Sequence, residues 1–95
     1  MNRILLIDTR SNKEITIGLQ INTRKYIIRE KIGHHKTQAV LPLIDKLLKQ
    51  KKLRISDIND IKVNNGSGSF TGIRVGMAIS NALAFALKIP VMKIK

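Results

Sequence analysis

The sequence predicts an α/β fold, with a mixed five-stranded sheet and two helices in the order βββαβαβ. The first third of the chain holds short apolar runs and one clear alternation of apolar and polar residues, which is typical of strands. From about Thr37 the apolar residues change to helical spacing. Two later strand-like runs each follow a helical segment, so helices connect the later strands, which should therefore be parallel.

The first three predicted strands form an antiparallel meander. "RILLID", from Arg3 to Asp8, is a short apolar run suited to a strand that is buried on both faces. The polar stretch "TRSNK" follows as a turn. "EITIGLQI" alternates and places four apolar residues on one face: Ile15, Ile17, Leu19 and Ile21. "TRKYIIREKI" is a less regular third strand, and short turns join all three.

The first predicted helix has one apolar face, opposite polar residues such as Asp45 and Lys49. That face consists of Val40, Leu43, Ile44, Leu47 and Leu48. Pro42 should bend this helix or delay its regular start. "DIKVNN" is the fourth strand, residues 73–88 the second helix and "VMKI" the fifth strand. This layout is that of a ribonuclease-H-like or actin-like half-domain, formed by residues 1–95 as a single domain.

The second helix is apolar over most of its circumference. One row of large residues consists of Val75, Ile79, Leu83 and Leu87. A flat row beside it consists of Ala78, Ala82 and Ala86, with Phe85 at its edge. The narrow polar stripe consists of Arg74, Asn81 and Lys88. Such a helix must be covered on more than one side. We expect the sheet to cover the large residues and another helix to pack on the alanine row. That helix could be the first helix of this chain, but a partner protein is favoured, because large apolar patches on small monomers usually mark interfaces.

The glycine-rich segment "GSGSFTG", residues 66–72, precedes this helix. Its spacing is neither GxGxxG nor that of a P-loop. Ser69 or Thr71 should cap the helix through a side-chain oxygen, and Gly66, Gly68 and Gly72 permit a positive φ. The backbone N–H groups at this helix start, with Arg74 nearby, could also bind an anion. The capping role is favoured and the anion site stays open.

Composition leaves the choice of partner open. The net charge of +12 suggests nucleic acid as a partner. However, the basic residues are scattered, and an AT-rich coding sequence also produces a chain rich in Ile, Lys and Asn. The few aromatic residues argue against a platform for single-stranded nucleic acid. The chain has no cysteine, which excludes disulfides and thiolate metal sites. The apolar run from Ile4 to Ile7 is too short for a signal peptide or a membrane span, so we expect a cytoplasmic protein without membrane contact.

Catalytic chemistry is not predicted. Asp8 ends the first strand, where an actin-like ATPase would hold a metal–phosphate complex, but an aspartate that initiates a turn looks the same. A ribonuclease-H-type nuclease needs several converging carboxylates, and only Asp8 is well placed. His34 and His35 are adjacent and point apart in an extended loop, so a surface pair is favoured over a metal site. We expect no catalytic residue, metal or cofactor.

Four segments resemble the TsaB family, also known as YeaZ: "ILLIDT", "LPLIDKLL", "ISDINDI" and above all "GSGSFTGIRVG". The resemblance covers essentially all 95 residues in the family's order. It implies an actin-like fold without the metal and nucleotide residues of an enzyme. It also implies a non-catalytic partner of the enzyme TsaD, which makes threonylcarbamoyladenosine on tRNA.

The resemblance further implies that the two helices pack on the equivalent helices of a TsaD-like protein, or on a second copy of the chain as a homodimer. The residues assigned to this contact surface, to be divided between core and interface by the fold, are Val40, Leu43, Leu47, Met77, Ala78, Ala82 and Phe85. The glycine-rich loop would then launch the second helix and set its angle.

The chain departs from the family in three places. One is the family histidine before the first helix, which aligns with Lys36 and leaves His35 one place early. Ser67 stands where the family usually has proline, and family members usually carry a second actin-like half, so we expect an excised N-terminal domain or a naturally minimal version. Two alternative functions stay open: a small basic RNA-binding module with possible tRNA contact, and a relic actin-like ATPase or kinase domain that uses the loop for phosphate.

Overall fold

The computed structural model describes residues 2–32 and 36–94, and it has the predicted element order. The elements are β1 (Arg3–Asp8), β2 (Glu14–Ile21), β3 (Arg24–Lys31), α1 (Lys36–Gln50), a 3₁₀ turn (Ile55–Asp57), β4 (Asp60–Asn64), α2 (Phe70–Leu87) and β5 (Val91–Ile94). Pro42 lies inside α1. The predicted surface pair His34 and His35 lies outside the described residues.

The five strands form one mixed sheet in the order β3-β2-β1-β4-β5. β1 pairs with β2, and β2 with β3, in antiparallel register, because only short turns separate them in the chain. β1 pairs with β4, and β4 with β5, in parallel register, because a helix crosses between the members of each pair. The predicted meander and the predicted parallel strands are both confirmed.

One face of the sheet carries the core, and both helices pack on it. Its central side chains are almost completely buried: Leu5, Ile7, Ile15, Ile17, Leu19, Ile61 and Val63. The apolar face of α1 completes the same cluster, together with Ala84 of α2. Among the described residues, no helix covers the opposite face of the sheet.

Small residues allow α2 to pack closely on the sheet. Its buried residues recur every fourth position: Gly72, Gly76, Ser80 and Ala84. A Cβ atom at Gly76 would lie 2.5 Å from Thr9 Oγ1 and 3.4 Å from Val63 Cγ2, so the helix backbone is nearly in contact with the strands. The prediction that the sheet covers the large residues therefore holds only in part, because the small residues lie closest to the strands. Val75, Ile79 and Leu83 lie half-buried on the flank of the helix, because the small row allows the closer approach.

The boundaries of α2 differ from the predicted ones. The helix begins at Phe70 rather than Ile73, because Ser69 caps it, and it ends at Leu87. Lys88 follows in the left-handed region with a φ of 57°, and its N–H bonds to the last carbonyl groups of the helix. The remaining predicted boundaries agree with the structure within one residue.

Candidate functional site

Three backbone N–H groups of the glycine-rich loop have acceptors within the chain. The Gly66 N–H donates to Asn64 Oδ1 at 3.0 Å, and the Ser69 N–H donates to the Arg10 carbonyl at 2.8 Å. The Gly72 N–H donates to Ser69 Oγ at 3.1 Å, which confirms Ser69 as the helix cap. These three donors already have acceptors, which favours the structural role of the loop over anion binding.

Two of the loop glycines serve different purposes. A Cβ atom at Gly68 would lie 2.6 Å from Arg10 Cβ and 2.9 Å from the Arg10 carbonyl oxygen, so this position requires glycine for close approach. Gly68 has a positive φ of 158°, whereas Gly66 and Gly72 do not, so our expectation of that conformation is wrong at those two positions. Gly72 lies within α2. Its carbonyl oxygen instead accepts a hydrogen bond from the buried Thr9 hydroxyl. The loop after β1 is thereby fastened to the start of α2.

The remaining residues of the predicted anion site do not converge on a single point. Thr71 is exposed in the first turn of α2. Arg74 is also exposed, and its guanidinium carbon lies 5.0 Å from the centre of the Phe70 ring. That distance fits a cation–π contact along the helix surface.

Asp8 is paired rather than open. Arg10 Nε donates to Asp8 Oδ1, and Arg10 Nη2 donates to Asp8 Oδ2, both at 3.0 Å. Burial raises the pKa of the Asp8 carboxyl, but the hydrogen bonds and charge of Arg10, with the charge of Arg29, outweigh it, so the pKa lies below its ordinary value. Asp8 is therefore ionised at neutral pH and held by a bidentate ion pair.

A polar cleft of about 400 Å³ lies beside this ion pair, lined also by Glu14, Arg29, Ser67 and Gly68. Its two carboxylates match its two guanidinium groups in charge. Within residues 2–32 and 36–94, no group of three His, Cys, Asp or Glu side chains could hold a metal ion. The cleft thus lacks the converging carboxylates of two-metal nucleases.

Thr9 and Arg10 contact the candidate site residues Gly72 and Asp8, and the sequence analysis did not identify either of them. Thr9 is completely buried and bonds to α2, while Arg10 bonds to Asp8 and accepts from Ser69 through its carbonyl oxygen. The spacing of Asp8 and Arg10, two residues apart after a strand, was a signal available in the sequence.

The alanine row of α2 is exposed. Ala78, Ala82 and Ala86 all face solvent, and Phe85 at the edge of the row is 87% exposed. Met77 is half-buried on the flank. α1 therefore does not cover this row, and a phenyl ring is left almost fully in water. We call Ala78, Ala82, Phe85 and Ala86 the outer face of α2.

Val40, Leu43 and Leu47 do not belong to this surface. Their exposed fractions are 0%, 3% and 2%, and they pack in the core cluster. Their assignment to a contact surface is therefore corrected, because α1 turns its apolar face to the sheet rather than outward. Leu41, one residue after Val40, is instead 52% exposed.

An apolar groove of about 500 Å³ runs between the two helices. Leu41, Leu48, Leu53 and Leu83 contribute to its walls, and Lys49 lies among its polar lining residues. Leu83 and Ala86 lie three residues apart on α2 and are therefore neighbours on the helix surface, so the groove borders the outer face. The two features together form one largely apolar surface on the helical side of the molecule.

By length and composition, α2 is also apolar enough to cross a membrane. Core helices of water-soluble proteins pass the same test. In this fold the row at Gly76 and Ser80 is already packed on the sheet.

Comparisons with known proteins give the family. A family model described as TsaD, tRNA N6-adenosine threonylcarbamoyltransferase, matches residues 20–95. The chain is 34% identical over 91 residues to the tRNA threonylcarbamoyladenosine biosynthesis protein TsaB of Haemophilus influenzae, a match that covers 96% of this chain and 38% of that protein.

Solved structures agree with this match. The structure of YeaZ from Pseudomonas aeruginosa superimposes with a TM-score of 0.92 at 29% identity, over 100% of this chain and 44% of that one. RuvC of Thermus thermophilus, in complex with Holliday junction substrate, gives a TM-score of 0.60 at 9% identity, over 99% and 64% of the two chains. The likeness to RuvC shows the ribonuclease-H-like fold alone.

The chain spans about two fifths of the length of its TsaB and YeaZ relatives. Sequence identity and fold agree over nearly all of its own residues. The chain belongs to the TsaB family, also called YeaZ.

Proposed function

We propose that this chain is a non-catalytic partner subunit in the biosynthesis of threonylcarbamoyladenosine on tRNA, and that it binds a TsaD-like enzyme through the outer face of α2. The observation that carries the proposal is the exposed alanine row with Phe85 beside it. A small protein rarely leaves such a surface in water unless another molecule covers it.

The chemistry of the outer face suits helix–helix contact. Alanine side chains at every fourth position let a second helix approach closely, because no long side chain separates the two backbones. Phe85 supplies a large apolar anchor of the type that dominates interface energies. The groove beside Leu83 could accept apolar side chains from the same partner.

The family relationship indicates how the partner is engaged. A TsaD family model matches residues 20–95, so the enzyme and this chain share this part of the fold. Two related domains can therefore pair α2 against its counterpart through a pseudo-twofold axis. A second copy of the chain could use the same face to form a homodimer.

The state of Asp8 supports a non-catalytic role. An ATPase of this architecture needs a carboxylate at the end of the first strand that is free to act on a metal or phosphate. Here Arg10 occupies both oxygens of that carboxylate. We expect no ATP turnover above background from the isolated chain, and turnover that disappears in Asp8→Ala would revive the relic ATPase alternative.

The binding test uses the 95-residue chain and the TsaD-like protein of the same cell. Wild-type chain should co-elute with that protein in size exclusion with light scattering, whereas Ala82→Glu should stay monomeric. Lys46→Glu is the matched control, since this exposed residue of α1 carries a new charge away from the outer face. Equal association of all three chains would overturn the proposal.

A basic segment supports a second candidate, direct tRNA contact. Five cations surround the end of α1: Lys46, Lys49, Lys51, Lys52 and Arg54. Lys51 lies 3.7 Å from the centre of the Tyr26 ring, which fixes one cation on the surface. Binding of tRNA that weakens steeply with salt, and that is lost in Lys51→Glu/Lys52→Glu, would support this role.

A further inference from the structure

A polar stripe on α2 borders its outer face and carries two cations. The stripe consists of Arg74, Asn81 and Lys88, which are all exposed. Arg74 lies four residues before Ala78, in the first half of the helix. Lys88 lies three residues after Phe85. Residues at these spacings are neighbours on a helix surface, so both cations border the outer face, roughly 21 Å apart along the helix axis.

No acidic residue of α2 balances these charges. The helix, Phe70–Leu87, contains neither aspartate nor glutamate. The Arg74 guanidinium carbon lies 5.0 Å from the centre of the Phe70 ring, a contact that holds the charge at the helix surface without neutralising it. Within residues 2–32 and 36–94, neither cation of the stripe takes part in an ion pair. Both are therefore available to carboxylates of another molecule.

The other border of the outer face, along the groove, is closer to neutral. The groove carries Lys49 and Arg54 among its lining residues. Asp45 pairs with Lys49 at 2.9 Å. The Asp57 carboxylate lies beside Arg54, since it accepts from the Arg54 N–H at 2.8 Å. The uncompensated positive charge around the outer face is therefore concentrated on the polar stripe.

A second copy of the chain is a poor match for this stripe. Arg74 stands eight residues before Ala82, the middle of the alanine row, and Lys88 stands six residues after it. Antiparallel pairing of two α2 helices about Ala82 would therefore bring Arg74 of each copy close to Lys88 of the other. Parallel pairing would place each cation beside its own counterpart. Either direction brings like charges together, which opposes association, and the net charge of +12 adds repulsion between whole chains.

We propose that the polar stripe of α2 selects a partner with carboxylates on its contact surface and excludes a second copy of this chain. The inference rests on the proposed function, because the outer face must be the contact surface, and it adds the chemistry of the partner. A partner helix that lies along α2 would carry one carboxylate opposite Arg74 and another opposite Lys88, roughly 21 Å apart. These charges would accelerate the encounter as well as choose the partner.

The first test measures association against salt concentration. The 95-residue chain should bind the TsaD-like protein of the same cell at about 50 mM NaCl, where charges are weakly screened. The association rate constant should fall by about tenfold or more at about 500 mM NaCl. The chain alone should be monomeric at the lower salt concentration in analytical ultracentrifugation, because like charges keep two copies apart.

The second test makes a second copy acceptable by charge reversal. Arg74→Glu/Lys88→Glu changes only exposed residues, so this variant should fold like the parent. At low salt, an equimolar mixture of this variant and the wild-type chain should form dimers, whereas each chain alone stays monomeric. Ala82→Glu in the wild-type member should abolish the mixed dimer. Arg24→Glu/Lys25→Glu is the matched control, since it reverses as many charges on β3, at the sheet edge far from α2, and should form no mixed dimer.

A rate constant that does not change with salt, a wild-type chain that dimerises at low salt, or a mixture that stays monomeric would overturn the inference. Binding that Ala82→Glu abolishes but salt does not affect would leave the proposed function intact and overturn this inference alone. Absence of binding at every salt concentration would overturn the proposed function, and the mixed dimer would then decide the inference. Binding of tRNA that is lost in Arg74→Glu/Lys88→Glu, while protein association is unchanged, would assign the stripe to nucleic acid instead.

Discussion

Arg10 donates to both carboxylate oxygens of Asp8 at 3.0 Å, at the end of β1. The same arginine touches the glycine-rich loop, since its Nη1 donates to the Ser67 carbonyl at 3.3 Å. One side chain therefore neutralises the carboxylate and ties β1 to the loop that launches α2.

The Asp8 pair makes stability depend on pH. Because the pKa of Asp8 is lower in the folded state than in the unfolded state, the pair contributes fully above the unfolded pKa of about 3.9. That contribution is lost as the pH falls through the lower folded pKa. Asp8→Asn should therefore melt earlier than the parent at pH 7, and the difference should shrink below about pH 4.

Thermal melting followed by circular dichroism between pH 3 and 7 measures this. Asp45→Asn is the control, since Asp45 pairs with Lys49 on the exposed side of α1 and such pairs contribute little. A melting difference between Asp8→Asn and the parent that stays constant with pH would show that the ion pair does not stabilise the fold.

Gly68 should not tolerate a side chain. Gly68→Val places carbon atoms where Arg10 Cβ and the Arg10 carbonyl now lie, so the loop must move away from β1. We expect a loss of about 1–3 kcal/mol in unfolding free energy, as is usual for overpacked sites. Chemical denaturation measures it. If the variant unfolds like the parent but loses affinity for inorganic phosphate, the loop is an anion site.

Gly76 should not tolerate a side chain either, although it lies within a helix, where alanine is ordinarily more stable than glycine. An added methyl group gains up to about 1 kcal/mol in helix propensity. At Gly76 that methyl would meet Thr9 Oγ1 at 2.5 Å, so Gly76→Ala should lower the melting temperature. Asn81→Ala is the control in the same helix, because Asn81 is exposed and its replacement changes helix propensity without meeting the strands. A Gly76→Ala chain that melts above the parent would mean that α2 is not seated as closely as described.

Two alanines of α2 should respond in opposite ways to a charge. Ala84 is 8% exposed and belongs to the core cluster, so Ala84→Glu should unfold the domain, because an unpaired buried charge is very costly. Ala82 is exposed, so the Ala82→Glu chain should have the same circular dichroism spectrum as the parent. Its unfolding free energy should differ from that of the parent by about 0.5 kcal/mol or less. An unfolded Ala82→Glu chain would show that this position is part of the core.

The strands and the helix cap were predictable because each depends on local signals. The alternation of apolar and polar residues predicted the meander. The hydroxyl residues Ser69 and Thr71 before an apolar segment predicted a helix start within three residues of the observed one. The face by which α2 packs on the sheet was not predicted, because we assigned the most hydrophobic row of the helix to the sheet. The row that packs there is instead the one with the smallest side chains. Gly72, Gly76, Ser80 and Ala84 stand at a regular spacing of four in the sequence, and that pattern of small residues was the overlooked signal.

The candidate interface was predictable only in part. Periodicity separated the apolar and polar faces of α1, but it could not tell whether the apolar face, with Val40 and Leu43, packs in the core or on a partner. The register of the sheet was not predictable at all, since it depends on how five strands align side by side. Register between distant strands such as β1 and β4 follows from tertiary packing rather than from neighbouring residues.

The central position of β1 has a consequence for how the chain is made. Its antiparallel neighbour β2 follows after a short turn, whereas its parallel contacts reach far along the chain: the Arg3 N–H donates to Asn59 Oδ1 across 56 residues. On the ribosome the meander can close within microseconds, while the other edge of β1 waits roughly a few seconds for β4 to emerge. During that interval the apolar "RILLID" strand offers an open edge to other nascent chains. Slowing translation between β3 and β4 should therefore increase aggregation more than slowing it after α2.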